Sequence, residues 1–279
     1  MINVGKMNNM EVVKEVEFGL YLDSQKYGEI LLPKRYIPEN CEVGDFIDVF
    51  IYLDSEDKLI ATTETPLAMV DEFAFLKVIA VNRVGAFMDW GLMKDLYVPF
   101  KEQIEEMVEG KSYMVYVYYD FESERICASS KLTRFVYTDI VGLNIASEVD
   151  IFVVEETDLG FKALVNGDYL GLLYHNEIFQ DIKGGDKLKA FVKRIRPDGR
   201  IDLCLQKPGY EKVTSLSQQI IDLMTEKGGT LELNSKSSPE EIYRTLEMSK
   251  KSFKMAIGKL YKARVITITD NGITLTKNK

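Results

Sequence analysis

Two residue types in this sequence have the spacing to do chemistry, and that chemistry is non-covalent: aromatic rings and cations. Tyr21, Phe87 and Phe161 lie in the same neighbourhood of three similar segments, each just after a glycine, and Tyr174 and His175 follow the third of them. Rings that face outward from a strand stack on the bases of a single-stranded nucleic acid. Phe161 directly follows its glycine, which leaves open that it faces the other way. Lys187, Lys189, Lys193, Arg194, Arg196 and Arg200 make the densest basic run before the C-terminal region. Lys187 and Lys189 share one strand face by period-two spacing, and Lys193 joins them if no bulge intervenes. Lys251, Lys254, Lys259 and Lys262 fall on one side of a helical stretch. Cations so placed track phosphates and displace counterions. Each signal has a plainer alternative: rings that fill an interior, a solvated strand face, the solvent side of an amphipathic helix.

Covalent chemistry finds little support. His175 is the single histidine, so a zinc site built from histidines and cysteines and most histidine-based triads are excluded. No phosphate-cradling glycine loop or metalloprotease motif occurs, and no pair of carboxylates sits in a catalytic pattern. We therefore expect no enzyme, no catalytic residues, no metal, no cofactor and no small-molecule substrate. Cys41, Cys127 and Cys204 are widely spaced and odd in number, as in a reduced, cytoplasmic compartment. No apolar run is long enough for a membrane helix, and no secretory signal opens the chain. The formal net charge of −9 argues against nucleic acid at first sight. However, residues 214–279 carry 11 Lys and Arg against 7 Asp and Glu, so a basic C-terminal piece follows an acidic front.

The elements that must position these groups come in three copies. Gly19, Gly85 and Gly160 each follow a short strand, and Gly44, Gly110 and Gly185 follow them at the same distance. Between the glycines sits an apolar pair: Leu31-Leu32, Tyr97-Val98 and Leu172-Leu173. After the second glycine comes an alternating strand, a polar turn and a basic-apolar step: Lys58-Leu59, Arg125-Ile126 and Arg200-Ile201. Alternation, β-branched and aromatic residues, and turns such as Pro197-Asp198-Gly199 predict strands and hairpins. About five short strands per copy is the size of an OB-type barrel.

From Leu216 the periodicity turns helical, with Ile220, Ile221, Leu223 and Met224 in one stripe ending at Gly228-Gly229. The change in composition begins after Pro208-Gly209. Leu231-Glu232-Leu233 predicts a short strand. Ser238-Pro239-Glu240-Glu241 combines a capping box with proline at the first helical position. A third helix capped by Ser249 places Phe253, Ala256, Ile257, Leu260 and Tyr261 on one face and the lysines on the other. Asp270-Asn271-Gly272 then joins two strands in a hairpin. That order is the winged helix.

The repeated pattern resembles the S1 RNA-binding domain. The second copy is closest at its front, Val84-Gly85-Ala86-Phe87-Met88-Asp89, and the third at its back, Gly171-Leu172-Leu173-Tyr174-His175 and Gly199 to Leu205. The first copy departs at Leu31-Leu32-Pro33-Lys34-Arg35 and the second at Tyr97-Val98-Pro99, which marks these two as candidate scaffold barrels. Lys34-Arg35, Arg83 and Lys94 read as surface charge. The whole arrangement resembles the conserved virulence factor B family of bacterial RNA-binding proteins, through residues 12–22, 28–36 and Phe75-Leu76-Lys77-Val78. The resemblance implies RNA binding, a role in gene regulation and no catalytic residues.

The expected fold is multidomain and mainly β: S1-like barrels at 1–66, 67–140 and 145–208, then an α+β winged helix at 213–279. The expected function is binding of single-stranded RNA through the third barrel and the winged helix, by Phe87, Phe161, Tyr174, His175, the basic run and the lysine face. Ribosomal or transcription components are candidate partners. The alternatives are a DNA-binding regulator acting through the winged helix and a protein-interaction scaffold.

Overall fold

Each repeat closes on itself. The computed structural model describes residues 2–175, 178, 180–205 and 210–276, which leaves Pro208-Gly209 outside the described residues. The first barrel is β1 (Met7–Val16), β2 (Gly19–Asp23), β3 (Glu29–Pro33), β4 (Phe46–Leu53) and β5 (Leu59–Thr62). The second is β6 (Phe73–Asn82), β7 (Gly85–Asp89), β8 (Leu96–Pro99), β9 (Ser112–Asp120) and β10 (Arg125–Ser129). The third is β11 (Glu148–Thr157), β12 (Gly160–Val165), β13 (Tyr169–Tyr174), β14 (Lys187–Ile195) and β15 (Ile201–Cys204).

All three barrels share one topology. Strands run first-second-third-fifth-fourth around the wall, antiparallel except where the third meets the fifth. The long first strand must pair with two neighbours that diverge. It does so by a bulge at the same place in every copy, between Val12 and Lys14, Val78 and Ala80, and Val153 and Glu155. A bulge bends and twists a strand locally, as a small barrel requires.

Gly19, Gly85 and Gly160 explain the repeat. A Cβ on them would lie 2.2 Å from the Leu32 carbonyl oxygen, 2.4 Å from that of Val98 and 2.1 Å from that of Leu173. No side chain fits at that crossing. The same device recurs at Gly272, where a Cβ would meet the Leu231 carbonyl oxygen at 2.2 Å.

The barrels pack on one another as cores do. Phe50 and Tyr52 leave the first barrel's interior and join the cluster around Trp90, Met88 and Val98 of the second. Phe50 meets Trp90 edge to face at 5.8 Å between centroids. Met114 and Leu132 of the second barrel cluster with Val154, Leu164 and Leu170 of the third, while the Phe75 ring lies against Gly184 and Gly185.

The C-terminal unit is α1 (Tyr210–Glu226), β16 (Thr230–Leu231), α2 (Pro239–Leu246), α3 (Lys250–Lys262), β17 (Ile266–Thr269) and β18 (Gly272–Leu275), with sheet order β16-β18-β17. The capping box forms: Ser238 Oγ accepts from the Glu241 amide, and Glu241 Oε2 accepts from the Ser238 amide. Ser249 caps α3 through the Ser252 amide. Asn234 donates to the carbonyls of Thr269 and Asp270 and so ties the hairpin down. Leu233 is buried but lies beyond the end of β16.

Gly85→Ala is expected to destabilise the protein by about 2–3 kcal/mol, because the strand crossing must open. Gly110→Ala, where a Cβ meets nothing within 4 Å but φ is +85°, is expected to cost about 1 kcal/mol. Urea unfolding of the two variants measures the difference; equal losses would contradict the crossing as the tighter constraint.

Candidate nucleic-acid interface

Strand alternation decides which rings are available. Leu20 and Leu22, Ala86 and Met88, and Ala163 and Val165 point into their barrels, so the second residue after each glycine points out. Those residues are Tyr21, Phe87 and Lys162. Phe161 has the inward parity and is 7% exposed. Its expected role as a stacking ring is therefore withdrawn, because the residue directly after the glycine faces the core.

The second barrel carries the best aromatic surface. Phe87 on β7 is directly paired with Tyr97 on β8, and their rings pack at 5.3 Å between centroids. The Tyr97 hydroxyl donates to the Val84 carbonyl at 2.8 Å, which fixes its ring. Burial raises the pKa of that phenol. Arg125 opens β10, two residues before Cys127, the parallel partner of Tyr97, and so shares the outward side. In the first barrel the matching positions hold Tyr21 and Leu31, with Lys14 over the Tyr21 ring at 5.6 Å.

The third barrel is differently built. Lys162 takes the outward position and pairs with Glu155 at 2.7 Å. Tyr174 is half-buried, and its hydroxyl accepts from Arg196 at 2.6 Å, while Arg196 Nε donates to Asp202 at 2.7 Å. Asp202 is the buried member of this group, and its carboxylate raises the pKa of Arg196. His175 is exposed, with its Nε2 3.1 Å from the Thr157 carbonyl and its ring edge-on to Phe161.

The basic run divides by partner. Lys189 pairs with Asp150 at 2.7 Å, which raises its pKa. Lys187 lies over the Phe152 ring at 4.8 Å. A bulge falls between Val192 and Arg194, so the condition that would align Lys193 with Lys187 and Lys189 is not met. Arg194 and Arg200 are exposed, the latter 4.0 Å from Asp198. Lys187 and Lys189 do border a groove of about 900 Å³ between the second and third barrels, lined also by Phe73, Tyr116, Phe135 and Tyr137. The Tyr116 and Phe135 rings stack there at 4.1 Å.

On α3, Phe253, Ala256, Ile257 and Leu260 are buried, and Lys251, Lys254 and Lys262 are exposed. Lys259 is partly buried. Tyr261, expected on the inner face, is 56% exposed and joins Met255 beside the lysines. Helical geometry turns Gly258 to the same side, and a Cβ there would meet nothing within 4 Å.

Sequence reasoning passed over a further concave surface. A cleft of about 670 Å³ lies between the first two barrels, lined by Phe87, Tyr97, Met93, Arg35, Lys94 and Arg125 among others. Arg35 and Lys94, read as surface charge, are part of its wall. The signal available in the sequence was Tyr97 beside a Gly-x-Phe strand; the contribution of the first barrel was not legible. Among the described residues no group of His, Cys, Asp and Glu is arranged to hold a metal, and no helix is long and apolar enough to cross a membrane.

Closed five-stranded barrels in tandem with a winged helix define a multidomain chain of nucleic-acid-binding modules. Residues 4–64 match the S1 domain family and residues 218–275 the CvfB-like winged helix domain. The S1 match falls on the first barrel, one of the two whose motif departs from the usual pattern. The expected resemblance to the conserved virulence factor B family holds. The chain is 29% identical to "Conserved virulence factor B" of Staphylococcus aureus (strain bovine RF122 / ET3-1) over 246 residues, 86% of this chain and 82% of that protein. The protein of the same name from strain USA300 is 28% identical over the same shares. A crystal structure of a multidomain protein with nucleic acid binding domains from Streptococcus pneumoniae TIGR4 aligns over 98% of each chain, at 24% identity and a TM-score of 0.43.

Arg196→Ala leaves the low-exposure Asp202 carboxylate without its partner and is expected to lower unfolding free energy by about 1–3 kcal/mol. Arg194→Ala is expected to change it by no more than about 0.5 kcal/mol. Thermal unfolding of the two proteins distinguishes a structural cation from an available one, and equal effects would contradict the assignment.

Proposed function

We propose that the protein binds single-stranded RNA as a regulator of gene expression in the cytoplasm. The observation that carries the reading is the outward ring pair Phe87 and Tyr97 on an OB-type barrel, with Arg125 on the same side. Aromatic faces that accept any base, flanked by cations that follow the backbone, suit an unpaired strand better than a duplex, whose bases are already stacked.

The third barrel contributes less by stacking than its motif suggests, because Tyr174 is engaged by Arg196. Its share is the exposed His175 and the Lys187 and Lys189 edge. The exposed face of α3 supplies Lys251, Lys254 and Lys262 for phosphates, with Lys259 at its margin. No Arg or Asn on that face offers the bidentate base contacts of duplex readout. The acidic front of the chain is the surface available to ribosomal or transcription components.

Binding of the full chain to labelled single-stranded RNA and duplex DNA across a salt series tests the reading. RNA is expected to bind more tightly, with affinity falling steeply as salt rises. Preference for the duplex, or no binding at low salt, would overturn it. In the Lys251→Ala, Lys254→Ala, Lys262→Ala triple variant the salt slope is expected to shrink by about 2 for single strands; an unchanged slope would remove α3 from the interface.

Gly258 gives a second check. Glycine inside a helix costs about 1 kcal/mol relative to alanine, and the open space over it leaves no packing reason for it among the described residues. Gly258→Ala is expected to stabilise the fold by about that amount and to weaken RNA binding by crowding a close approach. A variant that is stabilised and binds as before would contradict that use of the surface.

A further inference from the structure

The cleft between the first two barrels contains its own charge arrangement. The turn between β4 and β5 reaches across it. Asp54 shapes this turn by accepting from the backbone amides of Glu56 and Lys58 at 2.8 and 3.0 Å. Asp57 is thereby held with a left-handed backbone, φ +60°, and presents its carboxylate to the second barrel. There Lys94 Nζ pairs with Asp57 Oδ1 at 3.0 Å, and Arg125 pairs with Oδ2 of the same residue. Hydrogen bonds from Lys94 and then Arg125 hold the Asp57 carboxyl below the usual carboxylate range.

One carboxylate therefore occupies two cations at the edge of an aromatic wall. Arg35, Asp54 and Asp95 also line the cleft. Arg35 lies over the Tyr36 ring and contacts Met93, and no ion pair engages it among the described residues. The Asp54 carboxylate is turned to its own backbone, and burial, with Asp89 beside it, raises the Asp95 pKa. Val84 and Met93 at the rim are exposed apolar side chains, 50% and 68% accessible. An apolar, ring-lined floor with cations at one side matches a base joined to a phosphate. The volume of about 670 Å³ lies within the roughly 300–1,000 Å³ of ligand-holding pockets.

We propose that this cleft is a composite site for one nucleotide of a single-stranded RNA, in which Asp57 of the first barrel stands in for the phosphate until RNA displaces it. The base stacks against Phe87 beside Tyr97, and its phosphate takes Arg125 and Lys94. Asp57 is a built-in competitor. It keeps the two cations extended and in place, and it sets a threshold that a neutral ring compound does not pass. The first barrel thus acts in binding through its turn rather than through its own outer face. This inference rests on the RNA-binding reading above.

The test is binding of a fluorescein-labelled mixed-sequence RNA 12-mer to the full chain, as wild type, Asp57→Asn, Phe87→Ala and Arg125→Ala. Asn keeps the shape and tolerates the left-handed backbone while it removes the charge. Asp57→Asn is expected to bind about fivefold more tightly, from loss of one unit charge near the phosphate. Phe87→Ala is expected to bind about tenfold more weakly, from loss of a stacked base. The gain from Asp57→Asn is expected to vanish in an Arg125→Ala background. Wild-type RNA binding that Asp57→Asn weakens or leaves unchanged would overturn the competitor role, and binding indifferent to Phe87→Ala would overturn the site. Failure of the wild type to bind the RNA at all would instead sink the RNA-binding reading. Phe87→Tyr, which preserves the ring, is expected to bind as the wild type does and separates stacking from a folding defect.

Discussion

Every barrel in this molecule depends on one close main-chain crossing. At Gly19, Gly85 and Gly160 the neighbouring carbonyl oxygen occupies the space that a Cβ would need. With that approach five short strands bend into a closed wall; with a side chain there the wall stands open. The crossing also fixes the phase of the strand. The residue after the glycine points in and the next one points out, so the same contact that closes the barrel chooses which side chain faces a ligand. Leu20, Ala86 and Phe161 pack inside, while Tyr21, Phe87 and Lys162 face out. A structural constraint thereby becomes a functional one.

Packing between the barrels adds the second level. Phe50 and Tyr52 are buried in a cluster that belongs mainly to the second barrel, and Phe75 lies on the glycine pair of the third. Contacts of this kind have the character of an interior, so the grooves at the two junctions are parts of the fold. The junctions concentrate what single barrels lack. Phe87 and Tyr97 gain Arg35 and the Asp57 turn from the first barrel, and Lys187 and Lys189 gain the rings of Tyr116 and Phe135. Net charge of the front half is a poor guide to such a surface, because some of its acids hold cations in position, as Asp57 does with Lys94 and Arg125.

Much of this was legible in the sequence because it is local. The glycine spacing, the alternation around it, the Ser238 capping box and the Asp270-Asn271-Gly272 hairpin each report a backbone geometry, and the structure contains each of them. The limits of the reading are equally physical. A bulge leaves one residue of a strand out of the ladder, and in β14 that residue is Lys193, which is why it does not continue the line of Lys187 and Lys189. A ring near a motif is not free if a cation takes its hydroxyl, as Arg196 does with Tyr174. Tyr261 is four residues from the buried Ile257 but lies at the edge of the apolar stripe, beside Lys254 around the helix. The junction between the first two barrels was the least visible of all. It is made by residues some forty to seventy positions apart, such as Asp57 with Lys94 and with Arg125, and pairings over that distance leave no periodicity to find.

The central claim is that an unpaired strand binds the outward faces of this scaffold, at the second barrel and at α3. Photo-crosslinking of single-stranded RNA to the intact chain, with peptide mapping of the adducts, tests it most directly. The account predicts adducts on the peptides that contain Phe87 and Tyr97 and on the α3 peptide with Lys251, Lys254 and Lys262. Adducts confined to other surfaces, or lost only at random across the chain when salt is raised, would contradict it.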